Sequence, residues 1–256
     1  VSLDRSDTNR ALYHAVYIKV QRRFSKGFTG TATYTRSQNM DASYGSNGND
    51  FAGTVSGPQN AYAPEAEYSL SSSHTPNRLS LSTTYELPFG KGKSLLANNR
   101  LADLAVGGWS INVVSIIQSG YPLTITQPND NNVFGANHMR PNATGISPQP
   151  DLPFAKRLDG WFNRAAFSQA PQYTFGNLSR TASLRGPGQI NWDLSLFKSF
   201  SIGERLKAQF RAEALNLTNT PMFYGPNTTY TNSAFGVINS QANFSRMIQL
   251  GVRFFL

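Results

Sequence analysis

The chain has 256 residues, no cysteine and a formal net charge of +9, with only 14% of residues charged and 12% aromatic. The lack of cysteine excludes a disulfide framework and thiolate metal sites, and the charged fraction is well below the roughly 25% of ordinary soluble domains. The basic residues are spread singly along alternating segments or sit in short breaks such as RRFSKG (22–27) and PFGKGK (88–93), with no nucleic-acid-binding motif beside them, so the positive charge gives no reason to expect a nucleic-acid partner.

The opening VSLDRSDTNR has no apolar core segment of a signal peptide, so an export signal is expected upstream of residue 1. The first clear element is LYHAVYIKVQRRF (12–24), where Val16, Ile18 and Val20 oppose Tyr17, Lys19, Gln21 and Arg23. Period-two alternation of this kind marks a strand with one apolar face. After SKG, the segment 28–36 sets Phe28, Ala32 and Tyr34 against threonines. The segment 78–87 sets Leu79, Leu81, Tyr85 and Leu87 against Arg78, Ser80, Ser82, Thr84 and Glu86. In 108–120 one face holds Trp109, Ile111, Val113 and Ile117. The apolar run that contains it, 101–120, is interrupted by Asp103, Asn112 and paired glycines, which rules out a transmembrane helix.

Two further segments, 189–200 and 206–217, flank the short break SIGER. Ile190, Trp192, Leu194 and Leu196 alternate with Asn191, Asp193 and Ser195; then Ala208, Phe210, Ala212 and Ala214 alternate with Lys207, Gln209, Arg211 and Glu213. This is the pattern of a β-hairpin. The chain ends on SRMIQLGVRFFL, where Ile248, Leu250, Val252, Phe254 and Leu256 alternate with Gln249, Gly251 and Arg253. Seven strands are expected, and every second connection between them is long: 37–77, 121–188 and 218–245. Strands of about ten residues with alternating short and long connections describe an outer-membrane β-barrel. A soluble sandwich would share the alternation but not this loop rhythm. The long connections are rich in Asn, Ser, Gly and Pro. That composition allows disorder, but their embedded aromatics favour loops partly folded over the barrel mouth.

Candidate chemistry is sparse. His14, His74 and His138 have no metal-site spacing, and LRGPGQ (184–189) precedes a strand rather than a helix, so neither a metal nor a phosphate site is expected. PNDNNVF (128–134) offers too few ligands for a calcium loop. The polar parity is of more interest: Lys19, Arg23, Lys207, Arg211 and Glu213 are expected to project into a barrel lumen, where charges must meet water, a plug or one another. Arg211 and Glu213, two apart on one face, are expected to serve in structural pairing.

Six segments carry a family resemblance. YELPFGKGK (85–93), GGWSINVVSIIQSGYPLTI (107–125), GWFNRAAFSQAP (160–171), SLRGPGQINWDLSLFKSF (183–200), FRAEALNLTNTPMF (210–223) and FGVI (235–238) occur in that order. Together they resemble the C-terminal part of TonB-dependent receptors of the Oar-like branch. The resemblance implies that residues 1–256 are one domain, the C-terminal portion of a barrel of about 22 strands, with the plug and TonB box outside the chain. It implies residence in the outer membrane of a Gram-negative bacterium and uptake of a scarce substrate such as an iron chelate, cobalamin or an oligomeric nutrient, without enzymatic activity or a cofactor. The implied partners are outer-membrane lipid, the rest of the barrel and its plug, the TonB–ExbB–ExbD complex, and the barrel-assembly machinery. That machinery would read Ile248, Leu250, Val252, Phe254 and Leu256, a set that ends on Leu where such proteins usually end on Phe. The fold expectation is therefore all-β: an open, antiparallel transmembrane barrel segment of about seven strands with long extracellular loops. The competing expectation is a complete small barrel acting as an adhesin or structural envelope protein.

Overall fold

The computed structural model describes residues 10–42, 58–60, 62–90, 92–95, 103, 105–128, 139–150, 152–202 and 206–255. Seven long strands form one antiparallel sheet: β1 (Ala11–Ser25), β2 (Phe28–Asp41), β4 (Asn77–Glu86), β5 (Trp109–Gln118), β8 (Gln189–Ile202), β9 (Leu206–Leu215) and β10 (Met247–Phe255), paired in that order. The alternating segments are therefore neighbours in sequence order, as the loop rhythm predicts. Three two-residue strands that alternation does not mark complete the set: β3 (Ser69–Leu70) pairs β2, and β6 (Asn142–Ala143) pairs β7 (Phe167–Ser168). β1 and β10 are the two edges and do not pair with each other, so the sheet is open. No helix among the described residues is long and apolar enough to cross a membrane, which is no bar to a chain that crosses with strands.

Directly opposed residues of antiparallel strands share a face, so the register extends each strand's alternation across the sheet. One row runs Ile18, Tyr34, Leu79, Ile117, Ile190. Another runs Phe28, Tyr85, Ile111, Leu196, Ala212, Leu250. On the opposite face the corresponding row is Thr29, Thr84, Asn112, Ser195, Glu213, Gln249. The sheet thus has one continuous apolar face and one predominantly polar face. Its apolar side chains are half-exposed on the central strands and exposed on the edges, where Ile248, Leu250, Val252 and Phe254 are all above 60% accessible. In a water-soluble protein such a surface would be far larger than tolerated.

The two ends of the sheet differ. At one end β1 and β2 are joined by the two-residue turn Lys26–Gly27, with φ of 51° and 79°. Both values lie in the left-handed region, the type I′ geometry that matches strand twist. A Cβ on Gly27 would also come within 2.8 Å of the Glu86 carbonyl oxygen, so only glycine fits. At the other end the three longest connections (42–76, 119–188 and 216–246) leave together. The hydrophobic core of the molecule lies in two of them. Leu123, Ile125, Phe162, Phe167, Leu184 and Phe235 are buried in one cluster, each from outside the long strands. Phe235 meets Phe162 and Phe167 edge-on at 4.6 and 5.6 Å, a favoured aromatic geometry. The described parts of these loops are a packed cap, which agrees with the folded-loop expectation; residues 43–57 and 129–138 lie outside the described residues.

Candidate functional site

The polar face and the cap meet at the long-loop end, where the cap is tied to the sheet by buried charge. Glu67, on the short 3₁₀ turn Pro64–Glu67, accepts from Arg140 Nη1 at 2.6 Å with both side chains almost wholly buried. Further hydrogen bonds surround the pair. Gln59 N donates to Glu67 Oε1 at 3.0 Å, Arg140 N donates to Gln59 Oε1 at 2.7 Å, and Arg140 Nε donates to the Leu178 carbonyl at 2.8 Å. Arg180 pairs with Asp41 at the end of β2 and also donates to the Glu67 carbonyl at 2.9 Å. Buried charges are tolerated where they are paired and hydrogen-bonded, and these two pairs join the second long connection to the first and to the end of β2.

A third tie runs through His74. Arg185 Nη2 lies 2.6 Å from His74 Nδ1, while His74 Nε2 lies 3.1 Å from the Ser37 carbonyl of β2. A guanidinium can only donate, so Nδ1 is the acceptor and the Nε2 hydrogen faces Ser37: the neutral tautomer. Arg185 Nη1 also donates to the carbonyls of His74 and Gly120, each at 3.1 Å. Burial lowers the His74 pKa below its ordinary value, and the neighbouring Arg185 and Arg36 charges lower it further against the raising effect of the Ser37 bond. Burial likewise lowers that of Arg185.

Two recesses open beside these ties. One, about 390 Å³, is lined by Tyr13, Ser37, Asn39, His74, Thr75 and Arg78. The other, about 250 Å³, lies between the ends of β5 and β8 and the β9–β10 connection. This structure fits an outer-membrane barrel segment: an open antiparallel sheet, apolar on one face and polar on the other, with its three longest connections at one end. A family model described as an outer membrane beta barrel domain matches residues 2–249. The chain belongs to that family. Its place is therefore the bacterial outer membrane, in association with lipid. No curated relative matches the chain.

The residues singled out from the sequence fall as follows. Lys19 stands opposite Thr33, Arg23 sits where the β1–β2 register shifts between Arg22 and Ser25, and Lys207 stands opposite Ser201 and Phe255. Glu213 stands opposite Ser195 and Gln249. Arg211 does not pair with Glu213, contrary to the pairing expectation: its Nε donates to Gln209 Oε1 at 2.9 Å and its guanidinium lies 5.2 Å from the Phe197 ring centre. The reason is register, because Arg211 and Phe197 are direct cross-strand partners. Ile248, Leu250, Val252 and Phe254 share the apolar face of β10; Leu256 lies outside the described residues. His14 is exposed on β1, and His138 and most of PNDNNVF lie outside the described residues. No metal-ligating cluster occurs among the described residues. Alternation does not reveal Glu67, Arg140, Arg180 or Arg185. Their one sequence signal is charge embedded in loops otherwise made of small polar residues.

Lys198 is also invisible to alternation. It has the parity of the apolar face, opposite Trp109 and Phe210, yet it is buried. It lies 5.2 Å from the Phe200 ring centre and donates to the carbonyls of Gly107, Asp103 and Ala105 at the short-turn end. The burial of this charge is offset by hydrogen bonds from the ammonium to those backbone carbonyls.

Proposed function

We propose that this chain is the C-terminal part of a TonB-dependent outer-membrane receptor and serves uptake of a scarce substrate. The observation that carries the reading is the direction of the edge strands. β1 and β10 both run from the long-loop end to the short-turn end. Neighbours in an up-and-down barrel are antiparallel, so these edges cannot close on each other, nor can β10 of one copy close on β1 of a second. Closure takes an odd number of further strands, which brings the total to an even number. An even total is what such barrels have, and the resemblance to TonB-dependent receptors points to one of about 22 strands. The ordered resemblance of six segments to TonB-dependent receptors supports the energised-uptake half of the reading.

In this arrangement the apolar face meets lipid, and Lys19, Arg23, Lys207, Arg211 and Glu213 project into the lumen, consistent with the polar-face register of Lys19, Lys207, Arg211 and Glu213. The cap forms part of the extracellular mouth. Substrate passage is gated by a plug and driven by TonB–ExbB–ExbD through the parent protein. The alternating set Ile248, Leu250, Val252, Phe254 and Leu256 is the signal read by the barrel-assembly machinery. Deleting Phe254 to Leu256 from the full-length protein should lower the amount of folded protein in the outer membrane and leave substrate choice untouched; equal folded amounts would dismiss the signal. The uptake reading is tested by photo-crosslinking from the N-terminal segment of the full-length protein in living cells. An adduct with TonB is expected. No adduct, together with adhesion that persists when TonB is deleted, would replace uptake with the adhesin reading.

A further inference from the structure

We propose that the recess between β5, β8 and the β9–β10 connection is a subsite for one ring of a neutral, polyhydroxylated ligand: a sugar unit. The inference rests on the uptake reading only for the site's place at the mouth. Its chemistry comes from the walls.

The first observation is the absence of charge. The protein carries a net +9, yet no charged side chain lines this recess among the described residues. A ferric chelate bearing carboxylates or catecholates would leave its anionic groups unpaired there, at a high desolvation cost. The second is size. At about 250 Å³ the recess falls below the range of drug-sized sites, roughly 300–1,000 Å³, so it suits one ring and not a corrinoid.

The third is the kind of groups present. Tyr121, Phe223 and Tyr224 supply aromatic surface, and Gln118 and Gln189 supply amides. Aromatic faces are electron-rich and attract the polarised C–H face of a pyranose. Amides offer both donors and acceptors, which is what ring hydroxyls need. Gln118 and Gln189 are direct cross-strand partners, so their side chains share the polar face of the sheet. Gln118 Nε2 donates to the Tyr121 hydroxyl at 3.3 Å, which orients the ring, while the Gln189 side chain makes no hydrogen bond among the described residues.

The recess is also built rather than incidental. A Cβ on Gly120 would overlap the Gly186 carbonyl, and one on Gly188 would lie 2.8 Å from the Gln118 carbonyl oxygen. The two backbones therefore pack directly on one another. The Gly186 amide donates to the Tyr121 carbonyl at 2.9 Å and Arg185 Nη1 to the Gly120 carbonyl at 3.1 Å, which locks that contact. A rigid recess loses little freedom on binding.

The test uses the full-length protein in detergent micelles and saturation-transfer NMR with maltotriose, cellotriose and chitotriose, set against the anionic trisaccharide of galacturonate and ferric citrate. At least one neutral trisaccharide should bind, at least tenfold more tightly than either anion. Tyr224→Ala should weaken that binding about tenfold; its parent residue is 55% exposed, so the fold should survive. Gln189→Glu should weaken it as well, and heat-modifiable mobility on a gel reports that both variants fold. Failure of all three neutral sugars to bind, equal binding in both variants, or tighter binding of an anion would overturn the subsite. Binding needs no energised partner. Sugar binding without TonB-dependent uptake would therefore overturn the transport reading and leave the subsite standing; TonB-dependent uptake with no sugar binding would do the reverse.

Discussion

His74 shows how much one residue at the cap can carry. It is neutral, accepts from Arg185 and donates to Ser37. Its folded pKa is lowered from an ordinary value near 6.5, so in the window below that value the unfolded chain binds a proton that the folded chain does not. Stability from this group is complete above the ordinary pKa and is lost as pH falls from there towards the folded value. The denaturant midpoint of the folded protein in micelles should drop on acidification through this window, and His74→Gln should flatten the drop. An unchanged pH profile in the variant would assign the effect to other groups. The Glu67–Arg140 pair makes a separate point. Glu67→Gln leaves Arg140 buried without its charge partner and should cost about 3–5 kcal/mol of cap stability, whereas Glu67→Leu combined with Arg140→Met should cost much less. Limited proteolysis of the long connections, read against an intact sheet, measures both.

At the scale of the element, β10 presents two faces to two media. Ile248, Leu250, Val252 and Phe254 continue the apolar rows of β9, and Gln249, Gly251 and Arg253 continue the polar ones. Val252→Arg should cost about 2–4 kcal/mol where the site lies at the bilayer midplane, falling toward zero near an interface, while Gln249→Arg on the opposite face should be nearly neutral. Equilibrium folding into phospholipid vesicles measures the two side by side. Equal costs would mean that the assignment of faces is wrong. The short-turn end adds a boundary marker: Phe28, Tyr85, Trp109 and Phe200 lie on the apolar face near that end, with Lys198 reaching the carbonyls beyond them. Interfacial aromatics are the usual girdle of such barrels.

At the scale of the whole molecule, the open sheet is the decisive feature. Its edges run in one direction, so closure takes strands from outside the seven described here. The absence of cysteine from these 256 residues makes this easy to probe, with any cysteine elsewhere in the full-length protein replaced by serine. A double variant, Ile18→Cys with Leu250→Cys, should form no internal disulfide in the full-length protein under oxidising conditions, because other strands separate β1 from β10. A quantitative internal disulfide would bring the two edges together and remove the large-barrel reading.

The strands were legible in the sequence because a strand between lipid and water has to alternate, and alternation is a local property. Segments such as 206–217 show it without help from the rest of the chain. The antiparallel order followed from the short connections for the same local reason. The packed cap and its ion pairs were not legible: Asp41 and Arg180 lie 139 positions apart, as do no two residues that a period could relate. Nor did parity identify Lys198, which shares the apolar parity of its strand and is tolerated only because the chain folds the carbonyls of Asp103, Ala105 and Gly107 over its ammonium. The sequence alone determined the sheet, since each strand carries its own two-sided pattern. Only the tertiary structure decided the cap and its recesses, because buried charges and hydrogen bonds between loops depend on which distant segments meet in space, and no periodicity records that.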